Sequence, residues 1–267
     1  MRDWFDYTLK KKKINSLNRL QYNNKILINH DEKKHFEFKG FKSLKHVSIS
    51  FKYLNKVLKK KEKILCIGSG WGYLEFLLSK KFSITASDYN NHYVKFHKKN
   101  NSKNFKYIKL DILKSKLPFR KNNFKQILIN NIEYLFDNSQ MNKCIKNIKK
   151  LGGKKTDYFL IFRSRDGFII KLIEKYLIYF EMKLKQILKF IRGERLSFTK
   201  NHHGFRRSKK EFLELLEKNN LKIISVYEDM YEAEYERLAI VRKLKLSKFL
   251  SLLFFKSHPY LHIIRFK

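Results

Sequence analysis

The sequence is poor in glycine, proline and cysteine, with nine, two and two residues of these types among 267. Two cysteines, Cys66 and Cys144, are too few for a disulfide framework and fit a reducing compartment. Neither has the spacing of a zinc ligand, so we expect no metal site. The first residues, Met1 to Asp6, lack the apolar core of a signal peptide. We therefore expect a cytoplasmic protein.

Acidic residues are also scarce, since 24 of them stand against 61 basic ones and the formal net charge is +37. Lysines that neutralise phosphates release counterions, so this charge would suit a nucleic-acid-binding protein. However, only 12 of the basic residues are arginine, the side chain that binds phosphate in a bidentate manner. The lysines are spread over the whole chain beside many Asn, Ile, Phe and Tyr residues, as in an A/T-rich coding sequence. Nucleic acid is thus an alternative partner, not the expected one.

From Lys63 onward, short apolar runs alternate with amphipathic segments. The runs end in glycine, acidic or amide residues, which is typical of buried parallel strands. The predicted strands cover residues 64–67, 83–87, 105–110, 126–129, 158–162, 223–227 and 238–241. Predicted helices lie between them, and the last follows a capping-box pattern from Ser208 to Glu211. The alternation predicts an α/β fold with a doubly wound, seven-stranded, mostly parallel sheet and a C-terminal antiparallel strand.

The length suits one large α/β domain with helical additions. We expect a helical N-terminal segment over residues 1–60, the α/β domain over 61–243 and a basic apolar tail over 244–267. Within the domain, residues 167–207 are predicted to form a lid rich in both apolar residues and lysine. This segment is too charged to span a bilayer. Its composition suits a lid over an apolar acceptor, an element on a membrane surface, or a lid packed on the protein's own core.

Three of the nine glycines fall in the loop Gly68-Ser69-Gly70-Trp71-Gly72, where the first predicted strand turns into a helix. Residues without a Cβ permit positive φ and a close approach of ligand to backbone. A dinucleotide loop needs a further glycine where Tyr73 stands, and a phosphate loop needs Gly-Lys-Ser/Thr, which is absent. The pattern therefore indicates an uncharged or zwitterionic adenosyl ligand.

Polar residues also end the following strands. Asp88 comes 20 residues after Gly68, where a carboxylate can accept hydrogen bonds from both ribose hydroxyls. Asp111 closes the third predicted strand, where a carboxylate could reach an adenine amino group, and Asn130 ends the fourth. Because the carboxyl ends of parallel strands meet at one edge of a sheet, we expect these side chains to share a pocket with the glycine loop.

These segments, from Lys63 to about Phe136, resemble the cofactor half of a class I, Rossmann-like SAM-dependent methyltransferase. The resemblance implies S-adenosylmethionine (SAM) as cofactor. It also implies a role for each matching position: the loop backs the methionine portion, the second-strand acid holds the ribose, the third-strand acid marks the adenine, and the fourth strand end lines the methyl-transfer site. The cofactor-binding residues implied in this way are Gly68, Ser69, Gly70, Asp88, Tyr89, Asp111, Ile112 and Asn130.

The chain departs from the family pattern at two positions. Cys66 stands where the family usually has an acid, and a thiol is a poor acceptor for the hydrogen bonds of an ammonium group. Phe124 is followed by Lys125 instead of aspartate. These departures keep a non-catalytic SAM-binding protein open as an alternative.

A general base assists methyl transfer when the acceptor is a hydroxyl or an activated carbon. The candidates are Glu133, after the fourth strand, and His202 and His203, in a polar loop that also suits two solvated histidines. The proline pair typical of enzymes that methylate amino groups of nucleic-acid bases does not follow Asn131. Methylation of pyrimidines at C5 needs a nucleophilic cysteine, but Cys144 lies on an apolar helix face. We therefore expect O- or C-methylation of a small-molecule or lipid-like acceptor, with an RNA methyltransferase as the alternative and with peripheral membrane contact.

Overall fold

The computed structural model describes residues 45–97, 103–153, 155–163, 207–230 and 260–267, with the single residues Tyr176, Lys183, Leu184, Ile187 and Ile191. Helices and strands alternate along these ranges. In chain order they are α1 (Lys45–Val57), β1 (Lys63–Ile67), α2 (Tyr73–Ser79), β2 (Ser83–Asp88), α3 (Asn91–His97), β3 (Phe105–Lys109), β4 (Gln126–Asn130), a 3-10 turn (Glu133–Leu135), α4 (Asn138–Leu151), β5 (Asp157–Arg163), α5 (Lys209–Lys218), β6 (Ile223–Met230) and β7 (Tyr260–Phe266).

The described strands form one seven-stranded sheet in the order β3-β2-β1-β4-β5-β7-β6. Strand β1 pairs in parallel with both β2 and β4, so the strand order reverses between β1 and β4. Strand β7 runs antiparallel to β5 and to β6. This arrangement confirms the predicted doubly wound, mostly parallel α/β fold, and it places the switch point beside the end of β1, where such sheets bind ligands.

The seventh strand corrects the sequence prediction. The expected strand at residues 238–241 lies outside the described residues, whereas β7 occupies Tyr260–Phe266, inside the segment predicted to be a tail. Leu261, Ile263 and Ile264 are buried between β5 and β6. The predicted domain end at residue 243 is therefore wrong, because the α/β sheet includes residues as late as Phe266. His262 and Arg265 interrupt the apolar run of β7, which is why its pattern did not indicate a strand.

Alternate residues of the central strands face the two layers of helices. Leu65 and Ile127 point into a core built with α4 and α5, and Ile64 and Leu128 point into a second core built with α1 and α2. Both cysteines are free and buried in these cores. With both faces of the sheet covered, apolar burial stabilises the fold and leaves the polar residues at the strand ends.

The helix boundaries follow from local sequence. The predicted capping box of α5 is present, since Ser208 accepts a hydrogen bond from the Glu211 N–H and Glu211 accepts one from the Ser208 N–H. Of the predicted N-terminal helical segment, α1 is described and buries Val47 and Leu54, while residues 1–44 lie outside the described residues. In the part of the chain that the structure describes, no helix combines the length and apolar character needed to cross a membrane.

Candidate active site

The glycine loop after β1 has a backbone that favours glycine. Gly68, Gly70 and Gly72 have φ angles of +78°, +52° and +69°. A Cβ on Gly68 would lie 1.8 Å from Ile132 Cγ2 and 2.9 Å from the carbonyl oxygen of Asn130. At Gly70, by contrast, a Cβ would meet no described atom within 4 Å. The loop is thus packed against the end of β4 at Gly68 and open at Gly70.

The N–H groups of Gly68, Ser69, Gly70 and Gly72 all donate to acceptors of the protein. Gly68 and Ser69 both donate to the carbonyl oxygen of Ser87, each at 3.0 Å, and Gly70 donates to Asp88 Oδ2 at 2.9 Å. A loop that cradles phosphate needs several N–H groups directed at the ligand. This loop therefore offers a close approach to its backbone at Gly70 but no N–H cradle for a pyrophosphate, in agreement with the glycine spacing.

Ser69 lies within the predicted site, but its hydroxyl is directed into the protein. The hydroxyl donates to the Cys66 carbonyl oxygen at 3.3 Å and accepts from the Ser87 N–H at 3.2 Å. The side chain is buried and ties the end of β1 to β2. Ser69 therefore shapes the loop through its hydroxyl.

Asp88, at the end of β2, is held beside the open part of the loop. Its Oδ2 accepts from Gly70 and its Oδ1 accepts from the N–H of Asn90 at 2.9 Å. Burial raises the pKa of Asp88, while hydrogen bonds from Asn90, Gly70 and the Tyr89 backbone oppose that rise. A carboxylate has about four lone-pair positions, so Asp88 can accept further hydrogen bonds from a ligand.

Asp111 and Ile112 follow β3 at the same edge of the sheet. The N–H of Leu110 donates to the Asp88 carbonyl oxygen at 2.9 Å, which fixes this segment beside the end of β2. Asp111 is half-buried and its Oδ1 accepts from the Leu113 N–H at 3.0 Å. Ile112 is buried. The two acids expected to share one edge with the glycine loop do so.

Two ring side chains that the sequence did not indicate support the loop. The hydroxyl of Tyr107 donates to the carbonyl oxygen of Gly70, and His97 Nε2 lies 3.0 Å from the carbonyl oxygen of Trp71. A carbonyl oxygen only accepts, so His97 Nε2 carries the proton. Burial lowers the pKa of His97 to about 4, which keeps its ring neutral near pH 7.

The end of β4 carries a chain of polar side chains. Asn130 Nδ2 donates to Glu75 Oε1 at 3.2 Å, and Asn131 Nδ2 donates to Asn130 Oδ1 at 2.8 Å. Asn131 has a φ of +48°, a left-handed conformation that asparagine tolerates. Glu75, on α2, is completely buried, and burial raises its pKa to about 7. The sequence placed Asn130 in the site but gave no indication of Glu75.

Glu133 begins the 3-10 turn that follows β4. It is buried, and burial raises its pKa to about 7 against the opposing effects of Arg163 and Arg207. Arg207 donates from Nη1 to the Glu133 carbonyl oxygen and from Nη2 to that of Phe136, both at 2.8 Å, which fixes the turn.

The other two predicted bases, His202 and His203, lie outside the described residues. Among the residues that the structure describes, no group of three or more His, Cys, Asp or Glu side chains is arranged to hold a metal ion.

Comparisons with known proteins agree with this geometry. Residues 64–152 match a family model described as "Methyltransferase domain", which covers the strands β1 to β4 and the helix α4. The predicted resemblance is confirmed over these residues. No curated protein matches the chain in sequence.

Solved structures of methyltransferases share the fold. Geranyl diphosphate C-methyltransferase from Streptomyces coelicolor A3(2) is 13% identical, with 90% of this chain and 85% of that chain covered and a TM-score of 0.57. A SAM-dependent methyltransferase from Methanosarcina mazei is 14% identical, with 80% and 95% covered and a TM-score of 0.54. Phosphoethanolamine N-methyltransferase 2 from Haemonchus contortus is 11% identical, with 83% and 52% covered and a TM-score of 0.52. At these identities the likeness establishes the fold.

Proposed function

We propose that this chain, which carries a class I, Rossmann-like SAM-dependent methyltransferase domain, transfers the methyl group of SAM to a small-molecule or lipid-like acceptor, at oxygen or carbon. The observation that carries the proposal is the position of Asp88. Its carboxylate is fixed at 2.9 Å from the Gly70 N–H, directly beside the open space at Gly70. An adenosyl ligand that approaches the bare Cα of Gly70 thus meets a carboxylate able to accept its ribose hydroxyls.

The other residues of this edge fit the remaining parts of the same ligand. Asp111 and Ile112 would hold the adenine, since one offers a carboxylate and the other a buried apolar surface. The glycine loop would contact the methionine portion. When bound, the cofactor would supply a methyl group on a sulfonium sulfur. The methyl group would pass to the acceptor by in-line displacement, and the sulfur would leave as a neutral thioether. The chain's own contribution is to hold donor and acceptor in line and to exclude water.

Glu133 is the described candidate for the general base. A carboxyl group with a pKa of about 7 is divided between its acid and base forms near neutral pH, which is the condition under which a base works best. Arg207 fixes the backbone on which Glu133 stands. His202 and His203 remain predicted bases that lie outside the described residues.

An apolar acceptor is supported by the segment predicted as a lid. The four apolar residues described there expose a large part of their surface: Tyr176 56%, Leu184 46%, Ile187 54% and Ile191 72%. Contiguous exposed apolar patches mark contact with a ligand, a membrane or another protein, and an apolar lid would provide such a surface. The names of two structural neighbours include the small molecules geranyl diphosphate and phosphoethanolamine. A cytoplasmic location with peripheral membrane contact remains a prediction from charge and composition.

Methyl transfer can be tested directly with labelled cofactor. The purified chain is incubated with SAM labelled in its methyl group and with separate lipid, small-molecule and RNA extracts. We expect label in the lipid or small-molecule extract and no transfer by the Asp88→Ala variant, whose folding is checked by thermal unfolding.

Two other outcomes would decide against the proposal. Label confined to RNA would establish the alternative RNA methyltransferase. Binding of SAM without transfer to any extract would favour a non-catalytic SAM-binding protein.

A further inference from the structure

The Glu75 carboxylate lies below the glycine loop without a positive charge among its described neighbours. It is fully buried, and the groups that influence its pKa are its own backbone, Asn130, Ser69 and Asp88. The other titratable groups facing it are the Cys66 thiol and the Tyr107 hydroxyl, whose pKa values are raised by burial and, to a smaller extent, by the charge of Glu75. A buried carboxylate with only neutral or acidic neighbours is costly in its ionised form. A cation that binds nearby would remove that cost.

The side chains of Asn131, Asn130 and Glu75 form a series of hydrogen bonds in which each amide donates towards Glu75. Asn130 donates its amide N–H to Glu75, so its amide oxygen points to Asn131 and accepts there. The amide nitrogen of Asn131 donates to Asn130, and Asn131 Oδ1 is buried with no hydrogen-bond partner among the described residues. Hydrogen bonds in such a chain polarise one another, so the negative charge of Glu75 strengthens Asn131 Oδ1 as an acceptor. An unsatisfied buried oxygen of this kind fits a ligand that donates.

The two residues that flank Asn131 in sequence lie against the glycine loop. The residues on either side of Asn131 enclose Gly68, since a Cβ there would meet the Asn130 carbonyl oxygen and the Ile132 side chain. In the proposed function the amino acid portion of SAM lies at this loop. That portion carries an ammonium group. Its positive charge would compensate Glu75, and its N–H groups could donate to Asn131 Oδ1. A neutral hydroxyl of the methyl acceptor would leave the charge of Glu75 uncompensated.

We propose that Glu75, Asn130 and Asn131 form the ammonium subsite of the cofactor site, with Asn131 Oδ1 accepting from the ammonium group and Glu75 supplying the negative charge. Glu75 is then a positioning residue that acts through the two amides. The inference rests on the proposed function, because it takes SAM as the ligand. It also explains how the site manages with a thiol at Cys66, where a carboxylate would otherwise compensate the ammonium charge directly.

The test compares two ligands with the same neutral sulfur. S-adenosylhomocysteine has the amino acid portion and 5′-methylthioadenosine lacks it, so only the first can use an ammonium subsite. We expect Glu75→Gln to weaken binding of S-adenosylhomocysteine about tenfold or more in calorimetry, as for loss of a charged hydrogen-bonded partner, while methylthioadenosine binding changes by less than about twofold. Asn131→Gly tolerates the same backbone and leaves Glu75 intact, so it should give the same selective loss.

A rescue variant separates charge from structure. Adding Cys66→Asp to Glu75→Gln restores a carboxylate below the loop and should recover most of the affinity for S-adenosylhomocysteine. Unchanged S-adenosylhomocysteine binding in both Glu75→Gln and Asn131→Gly would overturn the inference, and so would equal weakening of both ligands. Should the unsubstituted chain bind neither ligand, the proposed function itself would fail, and the inference with it.

Discussion

The imidazole ring of His97 stacks on the phenol ring of Tyr107, with ring centroids 4.5 Å apart and an interplanar angle of 8°. The polar atoms of the two rings bond consecutive carbonyl oxygens of the glycine loop, those of Trp71 and Gly70. The pair thereby fixes the loop from α3 and β3. A buried histidine, which is neutral near pH 7 because burial lowers its pKa, thus supports the loop.

This lowered pKa predicts acid sensitivity. The pKa of His97 is about 4 in the folded chain, below the 6.5 of a free imidazole, so the unfolded chain binds a proton that the folded chain excludes. The stabilisation is complete above about pH 6.5 and is lost as the pH falls towards 4, by up to about 3 kcal/mol. This decline should appear in the free energy of unfolding relative to a variant without a titratable ring at position 97, with both proteins measured in denaturant between pH 4 and 8.

The matched variant is His97→Phe, which keeps a ring against Tyr107 but cannot bind a proton. The raised pKa values of Glu75 and Glu133 act in the opposite direction, because their contribution is present at low pH and is lost as the pH rises through about 7. The difference in the free energy of unfolding between the unsubstituted chain and the His97→Phe variant therefore isolates the contribution of His97. An identical pH dependence in both would show that His97 is not the group responsible.

Two glycines of the loop should respond differently to alanine. In Gly68→Ala the new Cβ would overlap Ile132 at a φ of +78°, so we expect a chain that is severely destabilised or does not fold. In Gly70→Ala the Cβ enters open space, and the strain of a left-handed residue costs about 1–2 kcal/mol. Its methyl group occupies the place expected for the ligand, so SAM binding should be lost in a folded protein.

Thermal unfolding and calorimetry with SAM check both variants. A Gly70→Ala protein that binds SAM as tightly as the unsubstituted chain would show that the ligand does not approach the loop at Gly70.

Arg207 should be required for the turn after β4. Its guanidinium donates to the carbonyl oxygens of Glu133 and Phe136 and to Asn138 Oδ1, and all three lie close enough for one planar group. Lysine cannot reproduce that fork, so Arg207→Lys should lower the free energy of unfolding by about 2 kcal/mol or more. The exposed Lys210, which pairs only loosely with Glu214, supplies the control Lys210→Gln. We expect the control to stay within about 0.5 kcal/mol in the same denaturant titration; equal effects would argue against a buried role for Arg207.

Glu133→Gln should affect the rate of methyl transfer more than cofactor binding. If Glu133 is the base, its ionised form is active, so the rate of the unsubstituted enzyme should rise with pH through about 7 and then level off. The glutamine variant should be about a hundredfold slower or more, with no such rise. Once the labelling experiment has identified an acceptor, steady-state rates between pH 5.5 and 8.5 provide the measurement. A variant that keeps the pH profile would exclude Glu133 as the base.

Local sequence patterns were sufficient to predict most strands of the sheet. The predicted strands β1 to β6 are all present, each within two or three residues at its ends, because apolar runs with polar ends are a local signal. The cofactor edge was predictable for the same reason, since Gly68, Asp88 and Asp111 each end a strand. Strand β7 was missed because His262 and Arg265 interrupt its apolar run, and because its pairing with β5 and β6 is a long-range feature that a local pattern does not reveal.

The buried polar residues were the least predictable part of the site. The buried residues of α2 are Leu74, Glu75 and Leu78, so a glutamate shares the apolar face of this helix. A glutamate next to an apolar face is usually solvated, and its burial depends on Asn130 and Ser69 on other elements. His97 and Tyr107 likewise have no motif, because their partners are backbone carbonyl groups.

The position of β7 has a consequence for synthesis of the chain. Strand β5 emerges about a hundred residues before β7, the strand that will cover its outer side, and β6 pairs in the sheet only with β7 among the described strands. At translation rates of about 5 to 20 residues per second, the edge of β5 is unpaired for roughly 5 to 20 seconds. An open edge of apolar residues is prone to aggregate. The nascent chain therefore has an interval in which chaperone binding would have its greatest effect, and that interval closes only when Tyr260–Phe266 has left the ribosome.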